Sequence, residues 1–207
     1  MPGIFEEVVD LDEEEKQVQQ TDWKKSLVLY LHDLIRTLMG ILLIFLLFFR
    51  INIVSGDSMY STLYDGDYLL LLSNLFYQEP KHGDIVVISK KTFGNGKPIV
   101  KRVIATEGQV VDFDFENGVV YVDDVALAED YTNAPTTNQE GMAFPLTVEE
   151  GCIFVLGDNR GVSKDSRSLE IGLIDRREVL GKVIYLFLPG QHHGMYARDF
   201  DRIGAVQ

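Results

Sequence analysis

Between Thr37 and Phe49 the chain runs for thirteen residues without a charge, TLMGILLIFLLFF, and no other feature limits its fold as strongly. A helix that crosses a bilayer takes about 20 predominantly apolar residues. The stretch reaches that length when Ser26–Leu31 are added through His32, Asp33 and Arg36, and when Ile51, Ile53 and Val54 are added beyond Arg50. Arg36 and Arg50 can lay their methylene stems along the apolar surface and place their guanidinium groups among lipid headgroups. Ile41–Phe49 is apolar on every face, which a helix lying on the surface of a small domain would not be. A cleaved secretory leader fits less well, because residues 1–25 precede the run and Ser55 and Gly56 make a poor small-x-small site behind it. The expectation is a cytoplasmic tail over 1–25, one transmembrane helix over 26–50 and an extracytoplasmic domain over 51–207. Lys24, Lys25 and Arg36 precede the run and only Arg50 directly follows it, so the positive-inside bias places the N-terminus in the cytoplasm.

The tail and the remaining composition narrow the function. Residues 1–49 carry nine acids against Lys16, Lys24, Lys25 and Arg36, and the run Asp10–Glu15 reads as a solvated, partly disordered segment. The whole chain has a formal net charge of −13, which repels a phosphate backbone, so nucleic acid is not an expected partner. A lone Cys152 excludes an internal disulfide and a thiolate zinc site. His32, His82, His192 and His193 show no HxxxH or HxxEH spacing, so neither a metal nor a cofactor is expected. With 46% hydrophobic residues in a length of 207, the part beyond the helix can build a core of its own.

That part reads as short strands. Tyr68–Leu72, Asp84–Ser89, Ile99–Ala105, Gln109–Phe115, Val119–Val125, Cys152–Leu156 and Lys182–Leu188 are rich in β-branched, aromatic or other apolar residues and bounded by turn formers. Glu116, Asn117 and Gly118 predict a tight reversal between VVDFDF and VVYV. Residues 129–147 read as a long loop of the kind that is functional or mobile. The fold class is therefore mostly β and antiparallel after one helix.

Three islands break the strand texture: Ser55–Met59, Lys101–Arg102 and the stretch Gly157–Arg167. In IVKRVIA, strict alternation sends Lys101 and Arg102 to opposite faces, so one of them points toward apolar side chains. Two readings stay open. An edge strand can carry inward charges against aggregation. Alternatively, a buried lysine whose pKa falls below about 10.4 can serve as a proton acceptor near neutral pH. A Ser-His-Asp triad is the poorer idea, because the GxSxG elbow is missing.

Taken together and in order, the boxes resemble those of bacterial type I signal peptidases of the Gram-positive, membrane-anchored sort. They are Gly56-x-Ser58-Met59-x-x-Thr62-Leu63, Asp65-Gly66-Asp67, Gly83-Asp84-Ile85-Val86, Lys101-Arg102, and GDNRxxSxDSR from Gly157 to Arg167. The resemblance covers residues 26 to about 190. It implies an antiparallel β-sheet catalytic domain of the signal peptidase type, with Ser58 as nucleophile and Lys101 as general base. Ser163 resembles the hydroxyl that hydrogen-bonds the lysine nitrogen. It also implies signal peptides of exported preproteins as substrates and a lipid bilayer as partner, and it leaves the oligomeric state open. Arg102, Asp158, Arg160, Asp165 and Arg167 read as an ion-pair network holding Ser163 and the Lys101 strand together, and Met59 as a packing residue. Some relatives carry a serine two residues before the nucleophile as an oxyanion donor, where this chain has Gly56. Ser61 stands where relatives commonly have proline, and Ser168–Ile171 intervene before Gly172. Two rivals remain: a Ser/Lys self-cleaving repressor relative, which would lack the span, and an inactive membrane-tethered binding protein.

Overall fold

The structure, a computed structural model, describes residues 3–191 and 197–206, with side chains from Trp23 onward. His192 and His193 lie outside the described residues. The chain divides into two compact units, Met1–Leu47 and Phe48–Gln207.

Helix α1 spans Gly3–Phe48. Its stretch Trp23–Phe48 is 26 residues long and apolar enough to cross a membrane. The helix also runs through the acidic stretch, so Asp10–Glu15 has helical backbone where the composition suggested a disordered tail. Glu, Gln, Lys and Leu are good helix formers, and continuity with the apolar run supplies the nucleus that a short isolated helix lacks. At the other end, α1 stops at Phe48. Phe49 and Arg50 open strand β1 (Phe49–Ile53), where they pair with Leu72 and Leu71. Alternation in FRINI favours the strand, and β2 satisfies its backbone.

In the second unit, β1, β2 (Tyr68–Ser73), β3 (Ile85–Ile88), β4 (Ile99–Thr106), β9 (Cys152–Leu156), β10 (Ile174–Asp175), β11 (Val179–Leu188) and β12 (Gly204–Ala205) form one antiparallel sheet. Its order is β1-β2-β11-β3-β4-β9-β10, with β12 on β11. A second antiparallel sheet has the order β7-β6-β5-β8, from β5 (Val110–Asp114), β6 (Val119–Val122), β7 (Val125–Ala126) and β8 (Leu146–Thr147). The predicted reversal lies at 115–118, between β5 and β6. The 129–147 loop is held there: Thr136 N donates to Gly118 O at 3.0 Å, and a Cβ on Gly118 would sit 2.3 Å from Pro135 Cβ.

Strand β4 lies between β3 and β9, so the edge-strand reading of Lys101 and Arg102 gives way. Six consecutive residues, Val100–Ala105, are buried, both charges included. Val100 packs with Val54, Met59 and Leu63 in one core cluster, while Val103 packs with Val86, Ile153 and Val155 in another. Ile104 and Ala105 join Phe154 and the small sheet in a third. The two charged side chains are thus embedded where these clusters meet.

Candidate active site

Ser58 lies in the turn that leads from β1 back to β2. That turn closes on itself: Val54 N donates to Asp67 O and Gly66 N to Val54 O, both at 2.9 Å, and Leu63 N donates to Met59 O at 2.8 Å. Met59 and Leu63 are each 1% exposed and anchor the turn in the core, so Met59 is the packing residue its type suggested. Ser58 itself stays partly open to solvent.

Lys101 meets Ser58 from β4. Its Nζ donates to Ser58 Oγ at 2.7 Å and to the Val100 carbonyl at 3.0 Å, and the residue is 3% exposed. Burial pushes its pKa down from 10.5 to about 8, against the pull of Asp165, Asp158 and Glu140. An ammonium in that position has lost most of its water and gained a hydroxyl and a carbonyl, neither of them a counterion. A neutral amine 2.7 Å from a hydroxyl can accept its proton and leave an alkoxide-like oxygen.

The neighbouring charges are paired. Arg102 makes two bonds to Asp158, Nε to Oδ1 at 2.9 Å and Nη2 to Oδ2 at 2.8 Å, and its guanidinium lies 3.9 Å from the centroid of the Tyr131 ring. Arg167 holds Asp165 through Nε and Nη2, each at 2.9 Å, and also donates to the carbonyls of Arg160 and Ser163. Arg160 pairs with Glu129 and donates to Thr136 Oγ1 and Gly157 O. The charges form the pairs Arg102–Asp158, Arg160–Glu129 and Arg167–Asp165, and Arg167 also lies 3.7 Å from Glu140. Glu129, Tyr131, Thr136 and Glu140 join these charges from the 129–147 loop, and the loop's turn-rich composition hid them.

Ser163 Oγ is buried and makes no hydrogen bond among the described residues, to Lys101 Nζ or to any other group. The hydroxyl is pressed against Gly157, where a Cβ would lie 2.1 Å from Ser163 Oγ and 2.5 Å from Ser58 O. The Val100 carbonyl takes the lysine's second bond instead. Gly157 therefore has no room for a side chain in a place where nucleophile turn and Ser163 converge.

Asn159 and Thr62 had no assigned part, although both stand in the quoted boxes. Asn159 N donates to Ser58 O at 3.1 Å and its Nδ2 to Asp57 O at 3.0 Å. Thr62 Oγ1 donates to Asp158 Oδ2 at 2.5 Å, which ties the nucleophile turn to the carboxylate that Arg102 holds. Gly56 N donates to Asp65 Oδ1 at 2.7 Å, so it is already engaged. Among the described residues, no group of three or more His, Cys, Asp or Glu side chains is arranged to hold a metal ion.

Residues 27–188 match the family model described as signal peptidase, peptidase S26. A signal peptidase I of Bacillus licheniformis is 34% identical over 181 residues, covering 83% of this chain and 94% of that protein. The signal peptidase I T of Bacillus subtilis strain 168 is 33% identical over 176 residues, covering 81% and 85%. The crystal structure of a signal peptidase I from Enterococcus faecalis V583 superposes with a TM-score of 0.42 at 32% identity, covering 50% of this chain and 96% of that one. The chain belongs to the signal peptidase family, peptidase S26, as a serine peptidase of the bacterial type I kind.

Proposed function

We propose that this chain is a membrane-bound serine endopeptidase in which Ser58 and Lys101 form the catalytic dyad. It removes signal peptides from exported preproteins by cutting after small residues at the outer face of the membrane. The observation that carries the reading is the 2.7 Å contact between Ser58 Oγ and a lysine nitrogen whose pKa burial lowers to about 8.

In the first half of the reaction, Lys101 Nζ takes the Ser58 hydroxyl proton as Oγ attacks the scissile carbonyl carbon. The tetrahedral intermediate collapses when the C–N bond breaks, and the leaving amine takes the proton from Nζ. In the second half, Lys101 takes a proton from water, the hydroxide attacks the acyl ester, and Ser58 regains its proton as the new carboxyl end leaves. Ser58 N makes no hydrogen bond among the described residues and would donate to the developing oxyanion. Arg102, Asp158, Arg160, Asp165 and Arg167 hold the strand and the turn in register, and their charges lie in pairs rather than on the reacting atoms.

Anchoring fits this chemistry. Trp23–Phe48 is long enough to span, and β1 leads from Phe49 to the nucleophile turn within a few residues, so Ser58 would work close to the bilayer surface with the N-terminus in the cytoplasm. The test is cleavage of a preprotein with a small-x-small site by the detergent-solubilised full chain, beside Ser58→Ala and Lys101→Ala, read by mass at the new N-terminus. A cut after the small residue that both variants abolish supports the proposal. A folded wild type that does not cut, or cutting indifferent to both changes, overturns it.

A further inference from the structure

The nucleophile turn is also held from the C-terminal segment. Asp67 closes the turn and is fully buried; its carboxylate accepts from Tyr64 N at 2.8 Å and from Gly190 N at 2.7 Å. The charge is met by Arg202, which comes from the C-terminal segment. Its Nη1 and Nη2 donate to the two Asp67 oxygens at 3.1 and 2.7 Å, and Nη2 also reaches Thr62 O at 3.3 Å. The same guanidinium lies 3.7 Å from the centroid of the Tyr64 ring.

Thr62 therefore has two anchors. Its hydroxyl bonds Asp158, which Arg102 holds beside the base, and its carbonyl bonds Arg202. The turn that carries Ser58 is stretched between the lysine's strand and the end of the chain. The segment bearing Arg202 is itself fixed. Gly204 and Ala205 pair with Leu186 and Tyr185 on β11, Val206 N donates to Ile184 O, and Arg198 Nη1 donates to Pro189 O at 2.7 Å. Gly190 packs on the turn so closely that a Cβ there would lie 2.1 Å from Asp65 O.

We propose that Arg202 is a positioning residue for Ser58: through Asp67 and the Thr62 carbonyl it holds the nucleophile turn in the orientation that brings Oγ to Lys101 Nζ. The inference rests on the Ser58–Lys101 reading. A guanidinium suits the task, because its planar fork can grip both carboxylate oxygens while stacking on Tyr64, and an ammonium cannot do both. Asp67 keeps two backbone donors when Arg202 is replaced, so the turn loosens while its carboxylate remains anchored.

The test compares wild type, Arg202→Lys, Arg202→Gln and Ser58→Ala as detergent-solubilised full chains. It measures kcat and KM on a peptide with a small-x-small site, the rate of Ser58 acylation by a serine-directed reagent, and the melting temperature. A misplacement of the nucleophile by a fraction of an ångström to 1 Å predicts a loss of about 10- to 100-fold in kcat for Arg202→Gln. KM stays within about twofold, acylation slows by the same factor as kcat, and Arg202→Lys restores part of the rate. Arg202→Gln at the wild-type kcat, a loss confined to KM, or a kcat loss that disappears when the assay is run well below the variant's melting temperature overturns the inference. A wild type that does not cleave, or Ser58→Ala that does, sinks the dyad reading and the inference with it; normal behaviour of those two with a fully active Arg202→Gln sinks the inference alone.

Discussion

Lys101 and Arg102 are consecutive on β4 and are equally buried at 3% exposure, yet their surroundings are opposite. Arg102 is gripped by both oxygens of Asp158 and stacked on Tyr131. Among the described residues, Lys101 Nζ hydrogen-bonds a hydroxyl and a carbonyl. Burying a cation with a matched carboxylate makes a brace; burying one without a carboxylate in contact makes a base, since the only relief open to it is to give up its proton. Under the proposed dyad, the strand holds a structural charge and a chemical one side by side, and the difference lies in what faces each side chain.

The largest expected effect separates the two roles in activity. Ser58→Ala and Lys101→Met each lower kcat on the order of 10⁴-fold or more, as loss of a nucleophile or its base does in serine peptidases. Single-turnover cleavage measures this, and an Arg102→Lys variant that loses as much would erase the contrast. In stability the signs are expected to split. Asp158→Ala removes both carboxylate bonds of the buried Arg102 guanidinium and costs about 3–5 kcal/mol in denaturant unfolding. Lys101→Met removes a destabilising charge: a fall in pKa from 10.5 to about 8 corresponds to about 3 kcal/mol at most. For a lysine with a depressed folded pKa, that cost is fully present below about pH 8 and fades as the pH rises toward 10.5. The gain from Lys101→Met should therefore be seen at pH 7 and shrink by pH 10, whereas the penalty of Asp158→Ala should hold across that window.

The smallest effect concerns Ser163. Its hydroxyl is buried with no partner among the described residues, so Ser163→Ala should change stability by no more than about 1 kcal/mol and in the stabilising direction. A destabilisation of several kcal/mol would mean that Oγ holds a bond in solution, and the lysine nitrogen would be the first acceptor or donor to examine.

The sequence showed one side of this contrast far better than the other. Seven strands were legible because their β-branched runs end in Gly, Asn, Asp or Pro, and the helix was legible from its missing charges. The short strands β8, β10 and β12 have only two residues each, too few for a period, and β1 was absorbed into the apolar run that precedes it. Ser58, Lys101 and the paired residues of the third box were legible because their order is specific. Alternation failed at β4, where core clusters on both sides bury six consecutive residues. The partners from outside that box were not legible: Glu129, Tyr131 and Glu140 sit in a loop whose path no local rule fixes, and Arg202 lies 135 residues from the Asp67 it neutralises.

The central claim is that Lys101 works as a neutral base on Ser58, and the most direct test is the pH dependence of Ser58 acylation by a serine-directed reagent, with the modified residue identified by mass. The account predicts modification at Ser58, a rate that rises about tenfold per pH unit and levels off near pH 8, and no detectable modification in Lys101→Met. A rate flat from pH 6 to about pH 9, or a Lys101→Met variant acylated as fast as wild type, would contradict it.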